Sequence, residues 1–342
     1  MGDKSIKNNN YDALVSALKT NQIEKCYIFH GEERYLSERC LASLRTLLCP
    51  DGLDGFNYKR FEGKGLSFDE IEDAVNTFPA FAEKTLIEIH DYDLFKNDNK
   101  QLLIDLLSDL PDFVCLVFIY GTVEYKPDGR QKINKEILNH INVVEFIPQD
   151  QDKLVKWIKR HFLDSGKQIS VSDAEYLAFI TGGLMATLNG EIEKTAAYAK
   201  SDHITRADID AVVTPALDTV VYKLTDALVD RDNNKALRTL DELLQLREAP
   251  HKLMYSISLK MRQLLAARVF IEAGAEKTLF MKICAIRHEF QARTLYSTAG
   301  KTTLNKCREA VLMCSDTALE LNSTSDPEAR ITELVTKLAL RN

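Results

Sequence analysis

The sequence predicts an α/β domain built on a largely parallel sheet, followed by an all-helical remainder. Three observations lead there. Between residues 1 and 150, short apolar runs of strand character alternate with segments of helical spacing, the pattern that joins parallel strands through crossover helices. After Pro148 the strand-like runs stop and amphipathic helical spacing takes over. The longest apolar run, residues 113–120 (FVCLVFIY), has the length of a buried strand and falls well short of the roughly 18 residues a membrane span needs.

Taken in order, residues 11–20 read as a helix and 26–31 (CYIFHG) as a short buried strand closed by Gly31. Tyr35, Leu36, Leu41, Leu44, Leu47 and Leu48 then recur at helical spacing. Residues 56–63 (FNYKRFEG) alternate as a second strand. Ser67 opens a helix with a capping box, Ser67-Phe-Asp-Glu70, whose side chains satisfy the first free N–H groups. Residues 85–93 (TLIEIHDYD) form a third strand, 100–110 a helix, 113–120 a fourth strand and 141–147 (INVVEFI) a fifth. Beyond Pro148, residues 151–165 form an amphipathic helix carrying the only tryptophan, Trp157. Helices follow at 172–181, broken by Gly182-Gly183, at 184–200 and at 205–213; nothing in this stretch resembles a strand. Pro215 marks a joint, and residues 218–340 read as long helices with few glycines or prolines. Three pieces are expected: an α/β domain at 1–149, a small helical domain at 150–213 and a helical bundle at 214–342.

Length and composition agree. A chain of 342 residues suggests two or three domains. Charged residues at 28% and hydrophobic ones at 45% disfavour collagen-like, coiled-coil, disordered and membrane classes. The formal charge of -7 conceals an acidic first part, with 17 basic and 26 acidic side chains in residues 1–150, against 27 and 25 in the rest. An acidic first domain argues against wrapping a phosphate backbone by charge alone. Seven cysteines with no CxxC pair read as buried or half-buried thiols of a reducing compartment. The polar start, MGDKSIKNNN, lacks the apolar core of a signal peptide, so a cytoplasmic protein without a membrane partner is expected.

Few motifs carry chemistry. The strand–Gly–helix junction at 26–45 lies where a nucleotide-binding loop would lie, but such a loop needs GxxxxGK[ST], whose amides and lysine cradle phosphate. Here Gly31, Glu32 and Glu33 put two carboxylates in that place, with no second glycine and no lysine. Repulsion opposes a triphosphate, so no cofactor, no metal and no intrinsic catalysis are expected. Asp91 and Asp93 end a strand as magnesium-binding carboxylates do, yet without a phosphate loop they read as polar strand-end residues. The segment 77–84 (TFPAFAEK) sets two phenylalanines around a proline in a short connection. Either the rings tuck into the core, or they are anchors for a partner's pocket. Lys260, Arg262, Arg268, Lys282, Arg287 and Arg293 read mainly as a solvated helical surface, a few of which can meet phosphate.

Several segments together resemble one family, the delta subunits of the bacterial DNA polymerase III clamp loader. YIFHGEERYLSERCLASLR resembles its degenerate nucleotide-loop segment, and TFPAFAEKTLIEI its clamp-contacting loop and following strand. GGLMATLNGEIEKTAAYA, with Leu188, Glu191 and Lys194 in register, resembles a helix of its second domain, and ISLKMRQLLAARVFIEAG its collar helices. The resemblance implies an AAA+-like first domain with a degenerate nucleotide site, a small helical lid and a helical collar. It implies binding and opening of the sliding clamp (beta) without ATP hydrolysis by this subunit, as an accessory part of a DNA-directed DNA polymerase at the bacterial replisome. Partners would be gamma/tau and delta prime subunits through the collar, and primer-template DNA in the assembled complex. Carried over by position, the clamp-binding residues are Phe78, Ala80 and Phe81; a larger apolar residue is common in the family where Ala80 stands. Two other readings compete: an active NTPase of the same fold, which the Glu32-Glu33 pair opposes, and a helical adaptor unrelated to replication, which would have no affinity for a clamp.

Overall fold

The computed structural model describes residues 11–49, 54–80, 82–96, 98–286 and 289–341, in two compact units, Met1–Pro148 and Gln149–Asn342. In the first, α1 (Tyr11–Thr20), β1 (Cys26–His30), α2 (Arg34–Leu48), α3 (Asp54–Asn57), β2 (Tyr58–Glu62) and α4 (Phe68–Asn76) come before β3 (Thr85–His90). After it come α5 (Lys100–Ser108), β4 (Val114–Ile119), α6 (Lys132–Asn139) and β5 (Asn142–Glu145). The strands form one parallel sheet in the order β2-β3-β4-β1-β5, with Ile28 opposite both Phe118 and Val143, and Ile87 opposite Leu116. Strands β1, β3 and β4 are buried on both faces, as parallel strands covered by helices are. Ile28, Ile71, Ile87, Ile89, Leu116 and Phe118 belong to one core.

The expected α/β class is therefore present, with local differences. The third strand ends at His90 rather than residue 93, where Asp91 turns the chain at φ +56°, and the fifth spans Asn142–Glu145 rather than 141–147. The second strand begins at Tyr58 rather than residue 56, because Phe56 and Asn57 complete the single turn of α3. Helix α6 was not foreseen; it is only eight residues long, and its apolar Ile133, Ile137 and Leu138 lie among polar neighbours. The capping box of α4 forms as read: the Glu70 N–H donates to Ser67 Oγ (3.3 Å), and the Ser67 N–H donates to Glu70 Oε2 (2.9 Å).

A charged side chain on a central strand is buried within a network of partners. Glu88 of β3 is 1% exposed. Arg45 Nη2 of α2 donates to its two oxygens at 3.1 and 3.3 Å, and the Tyr58 hydroxyl donates to Oε2 at 3.1 Å. His90 Nε2 lies 3.3 Å from Oε2, and the Arg45 guanidinium covers the Tyr58 ring at 4.2 Å. Burial raises the Glu88 pKa, but the bond to His90, the Arg45 charge and the Tyr58 bond together hold it below the usual carboxylate range.

The second unit runs α7 (Gln151–Asp164), β6 (Gln168–Ile169), α8 (Val171–Thr181), α9 (Met185–Tyr198), β7 (His203–Ile204), α10 (Arg206–Val212) and α11 (Leu217–Val229). It continues through α12 (Asn233–Gln245), α13 (Pro250–Ala273), α14 (Lys277–Ile283), α15 (Glu289–Gly300), α16 (Leu304–Glu320) and α17 (Pro327–Arg341). Contrary to expectation it contains strands: β6 and β7 pair in parallel, Ile169 opposite Ile204. Each is two residues long, too short to leave a periodic signal. Gly182, at φ +81°, ends α8 in the left-handed conformation, so the break at Gly182-Gly183 is a C-cap. Leu224, Leu240, Ile257, Ile331 and Val335 share a core formed by α11, α12, α13 and α17.

Lys260 corrects the sequence reading. It is not a solvated surface cation but 1% exposed, its ammonium 4.1 Å above the Tyr222 ring and donating to Gln263 Oε1 at 3.3 Å. Ile257, Lys260, Met261 and Leu264 share the buried stripe of α13, which explains the burial, and desolvation lowers the Lys260 pKa. Arg293 pairs with Glu175 (2.9 Å) and Arg268 with Glu272 (3.0 Å); Arg287 lies outside the described residues. All seven cysteines are free thiols, six of them buried. Among the described residues no helix is long and apolar enough to cross a membrane.

The Glu88 network predicts an acid limb of stability. A carboxyl whose folded pKa is depressed stabilises the fold above its unfolded value of about 4.3, and that contribution disappears as pH falls through the folded value. Glu88→Gln is expected to cost about 1–3 kcal/mol at neutral pH and to flatten the acid limb in urea titrations. An unchanged limb would show that the network does not control it.

Candidate partner-binding loop and the strand–glycine–helix junction

The connection from α4 to β3 presents the aromatic loop. Thr77 ends α4 in extended conformation, its hydroxyl donating to the Asp73 carbonyl at 2.6 Å. Phe78 is 78% exposed, and its ring leans on Phe113, with centroids 4.9 Å apart. Phe113 immediately precedes β4, so a strand end props the exposed ring. Of the two alternatives for this loop, the core is excluded for Phe78.

Ala80 is half-buried and is held through its main chain. Its N–H donates to Asn57 Oδ1 and its carbonyl accepts from Asn57 Nδ2, both at 2.7 Å. Asn57 is 0% exposed, and the buried Cys49 thiol donates to its carbonyl at 3.2 Å. Phe81 lies outside the described residues. The structure therefore places Phe78 at the surface and Ala80 against the domain. It adds Asn57, which sequence reasoning missed because its partner lies 23 positions away. The exposed Phe56 precedes Asn57 in α3.

The nucleotide position lies at the opposite edge of the sheet, beyond the carboxyl ends of β1 and β4, where open α/β folds place ligands. Gly31 has φ +123°, and a Cβ there would stand 2.2 Å from the Phe146 carbonyl oxygen. Only glycine allows the chain to pass this close. The Glu33 N–H donates to the same oxygen at 3.0 Å, and the Glu33 side chain is 0% exposed at the N-terminus of α2, where a bound phosphate would lie. Glu32 lies exposed beside it. Tyr125 stacks on His30 at 4.1 Å and packs edge-on against Tyr120, while Arg34 Nη2 donates to the Gly121 carbonyl at 2.6 Å. Glu33, the Tyr125 ring and the Arg34 guanidinium thus lie near the carboxyl ends of β1 and β4. Burial lowers the His30 pKa.

Asp91 and Asp93 serve the backbone. Asp91 has φ +56°, and its Oδ1 accepts from the N–H groups of Gly121 (2.7 Å), Thr122 (2.7 Å) and Val123 (3.1 Å). Its Oδ2 accepts from the Thr122 hydroxyl (2.8 Å). Burial raises its pKa, but these bonds outweigh it and hold the carboxyl below its usual range. Asp93 Oδ1 accepts from the N–H groups of Phe95 and Lys96. Among the described residues no group of three or more His, Cys, Asp or Glu is placed to hold a metal ion.

Segments of both units resemble known proteins. Residues 27–147 match the family model of the DNA polymerase III delta subunit, and residues 218–338 match that of its C-terminal domain. DNA polymerase III subunit delta of Bacillus subtilis (strain 168) is 23% identical over 265 residues, 75% of this chain and 76% of that protein. The probable DNA polymerase III subunit delta of Aquifex aeolicus (strain VF5) is 23% identical over 277 residues, 78% of this chain and 77% of that one. The solved structure of the Bacillus subtilis DNA clamp loader delta protein aligns with a TM-score of 0.55 at 20% identity, covering 97% of this chain and 100% of that one.

The close approach at Gly31 generates a test. Gly31→Ala forces a methyl group into the Phe146 carbonyl from an unfavourable φ and is expected to cost about 3 kcal/mol or more in urea denaturation. A change within about 0.5 kcal/mol would mean that the β1–β5 contact yields freely.

Proposed function

The chain belongs to the DNA polymerase III delta subunit family, and from that premise we propose that it binds a sliding clamp through the loop at 77–84 and opens one clamp interface for loading onto primed DNA. The observation that carries this reading is Phe78, a large aromatic side chain left in water on a loop braced by Phe113 and Asn57. An apolar group of this size is stabilised by about 1.5–3 kcal/mol when a partner covers it, and aromatic anchors of this kind dominate many interfaces. Phe81, carried over from the family's loop, would share the pocket. Binding that favours a clamp state with one interface sprung would shift the clamp toward that state.

The nucleotide position supports a subunit that follows ATP chemistry in its neighbours rather than performing it. Glu33 is buried at the N-terminus of α2 and Tyr125 stacks on His30, and the segment from Gly31 carries no lysine for phosphate. The loop lies at the amino ends of the strands and Glu33 at the carboxyl ends. We assign residues 150–213 to a small lid and 214–342 to a collar that meets gamma/tau and delta prime subunits. Exposed Leu312, Leu319 and Leu340 of α16 and α17 are suited to such contacts. Primer-template DNA would be met only within the assembled complex, and the setting is the bacterial cytoplasm at the replisome.

Two measurements test this. In equilibrium binding to the cognate clamp, Phe78→Ala and the Phe78→Ala, Phe81→Ala double variant are expected to bind about tenfold more weakly or worse. Because Phe78 is exposed, Phe78→Ala should change folding stability by no more than about 0.5 kcal/mol. Wild-type affinity in the double variant would move the anchor elsewhere, and a wild-type chain that ignores the clamp would favour the adaptor reading. Separately, millimolar Mg-ATP is expected to leave the thermal midpoint unmoved, since only a ligand of the folded state raises it. A clear rise would reinstate the NTPase reading.

A further inference from the structure

We propose that Asn57 is a positioning residue for the clamp-binding loop: its buried side-chain amide fixes the main chain at Ala80 and so sets the direction in which Phe78 is presented. The inference rests on the clamp-binding reading above and deepens it, because it names a residue outside the loop on which that interaction depends.

The geometry is specific. A side-chain amide offers one carbonyl acceptor and an NH₂ donor, the same complement as a peptide group. Asn57 uses both on one residue, accepting from the Ala80 N–H and donating to the Ala80 carbonyl at 2.7 Å each. Paired in both directions, the Ala80 peptide groups cannot slide or turn without breaking a bond. With Asn57 fully buried, water does not replace what is lost.

Asn57 is itself fixed. It is the last residue of α3 and precedes Tyr58, which sits opposite Leu86 in the sheet. The Cys49 thiol donates to its carbonyl from the end of α2. The loop is thereby held at three points: the C-terminus of α4, Asn57 and the start of β3. Pro79, whose ring restricts φ, is the single residue between Ala80 and Phe78, so fixing one restricts the other. Ala80 is gripped by its backbone rather than its side chain, which accounts for a methyl group serving at this position. Clamp affinity then depends on Phe78 to Ala80 being held in place before contact, so that little of their conformational freedom is lost on binding.

The test compares the full chain with Asn57→Ala, Asn57→Asp and Phe78→Ala, reading clamp affinity together with amide hydrogen exchange. Asn57→Ala is expected to weaken clamp binding about tenfold and to release the Ala80 amide, while the amides of Leu86 to Ile89 in β3 keep their protection. Asn57→Asp keeps an acceptor but turns a carboxylate oxygen toward the Ala80 carbonyl. Its binding should be weak at neutral pH and recover as acid protonates the group and restores a donor, a recovery Asn57→Ala cannot show. The inference is overturned if Asn57→Ala keeps wild-type affinity while Phe78→Ala loses it, if Ala80 stays protected, or if the β3 amides open too, which would mark a general structural role. Failure of the clamp-binding reading is distinguishable, because the wild-type chain would then not bind; the positioning role would fall with it.

Discussion

Strand β4 sets the constraint on which the first unit depends. It lies between β1 and β3, and its Val114 to Phe118 side chains are fully buried. Its backbone groups have no water to turn to and are satisfied in the parallel ladder. With both faces of the central strands committed to packing, only their ends are left to work with. The amino edge carries Asn57, the Phe78 loop and Phe113. The carboxyl edge carries Gly31, Glu33, Asp91 and the Tyr125 stack. The exposed aromatic loop and the strand–Gly–helix junction are thus separated by the length of a strand.

Two buried charges show how the interior tolerates polarity. Glu88 is neutralised by Arg45 and bonded by Tyr58, so its burial is offset within one network spanning α2, β2 and β3. Lys260 has the face of Tyr222 and one amide oxygen, a weaker compensation that leaves desolvation dominant. Arg45 reaches solvent while its partner does not. This is the usual arrangement of a long cationic side chain whose stem crosses an apolar layer.

Much of this was legible in the chain. Central strands declare themselves as apolar runs, the capping box at Ser67 is a local pattern with a local consequence, and Gly31 marks a turn that no other residue can make. Helix α6 was missed because eight residues with three apolar positions barely establish a period. Strands β6 and β7 were missed because two residues establish none. Lys260 was misread because residue type was weighed above register: its neighbours at helical spacing, Ile257, Met261 and Leu264, already point inward.

The sequence by itself determined the α/β-to-helical order, the order of the five strands of the first unit, the absence of a phosphate-binding signature and the aromatic character of the loop at 77–84. Each of these is encoded within a few neighbouring residues, through periodicity, capping or composition. Only the tertiary structure decided that Phe78 faces water, that Glu33 is buried over the end of β1, and that Asn57 grips Ala80. Those outcomes depend on pairs separated by many positions, whose meeting is dictated by strand order and packing. No local pattern in the chain records which distant backbone a buried amide will find.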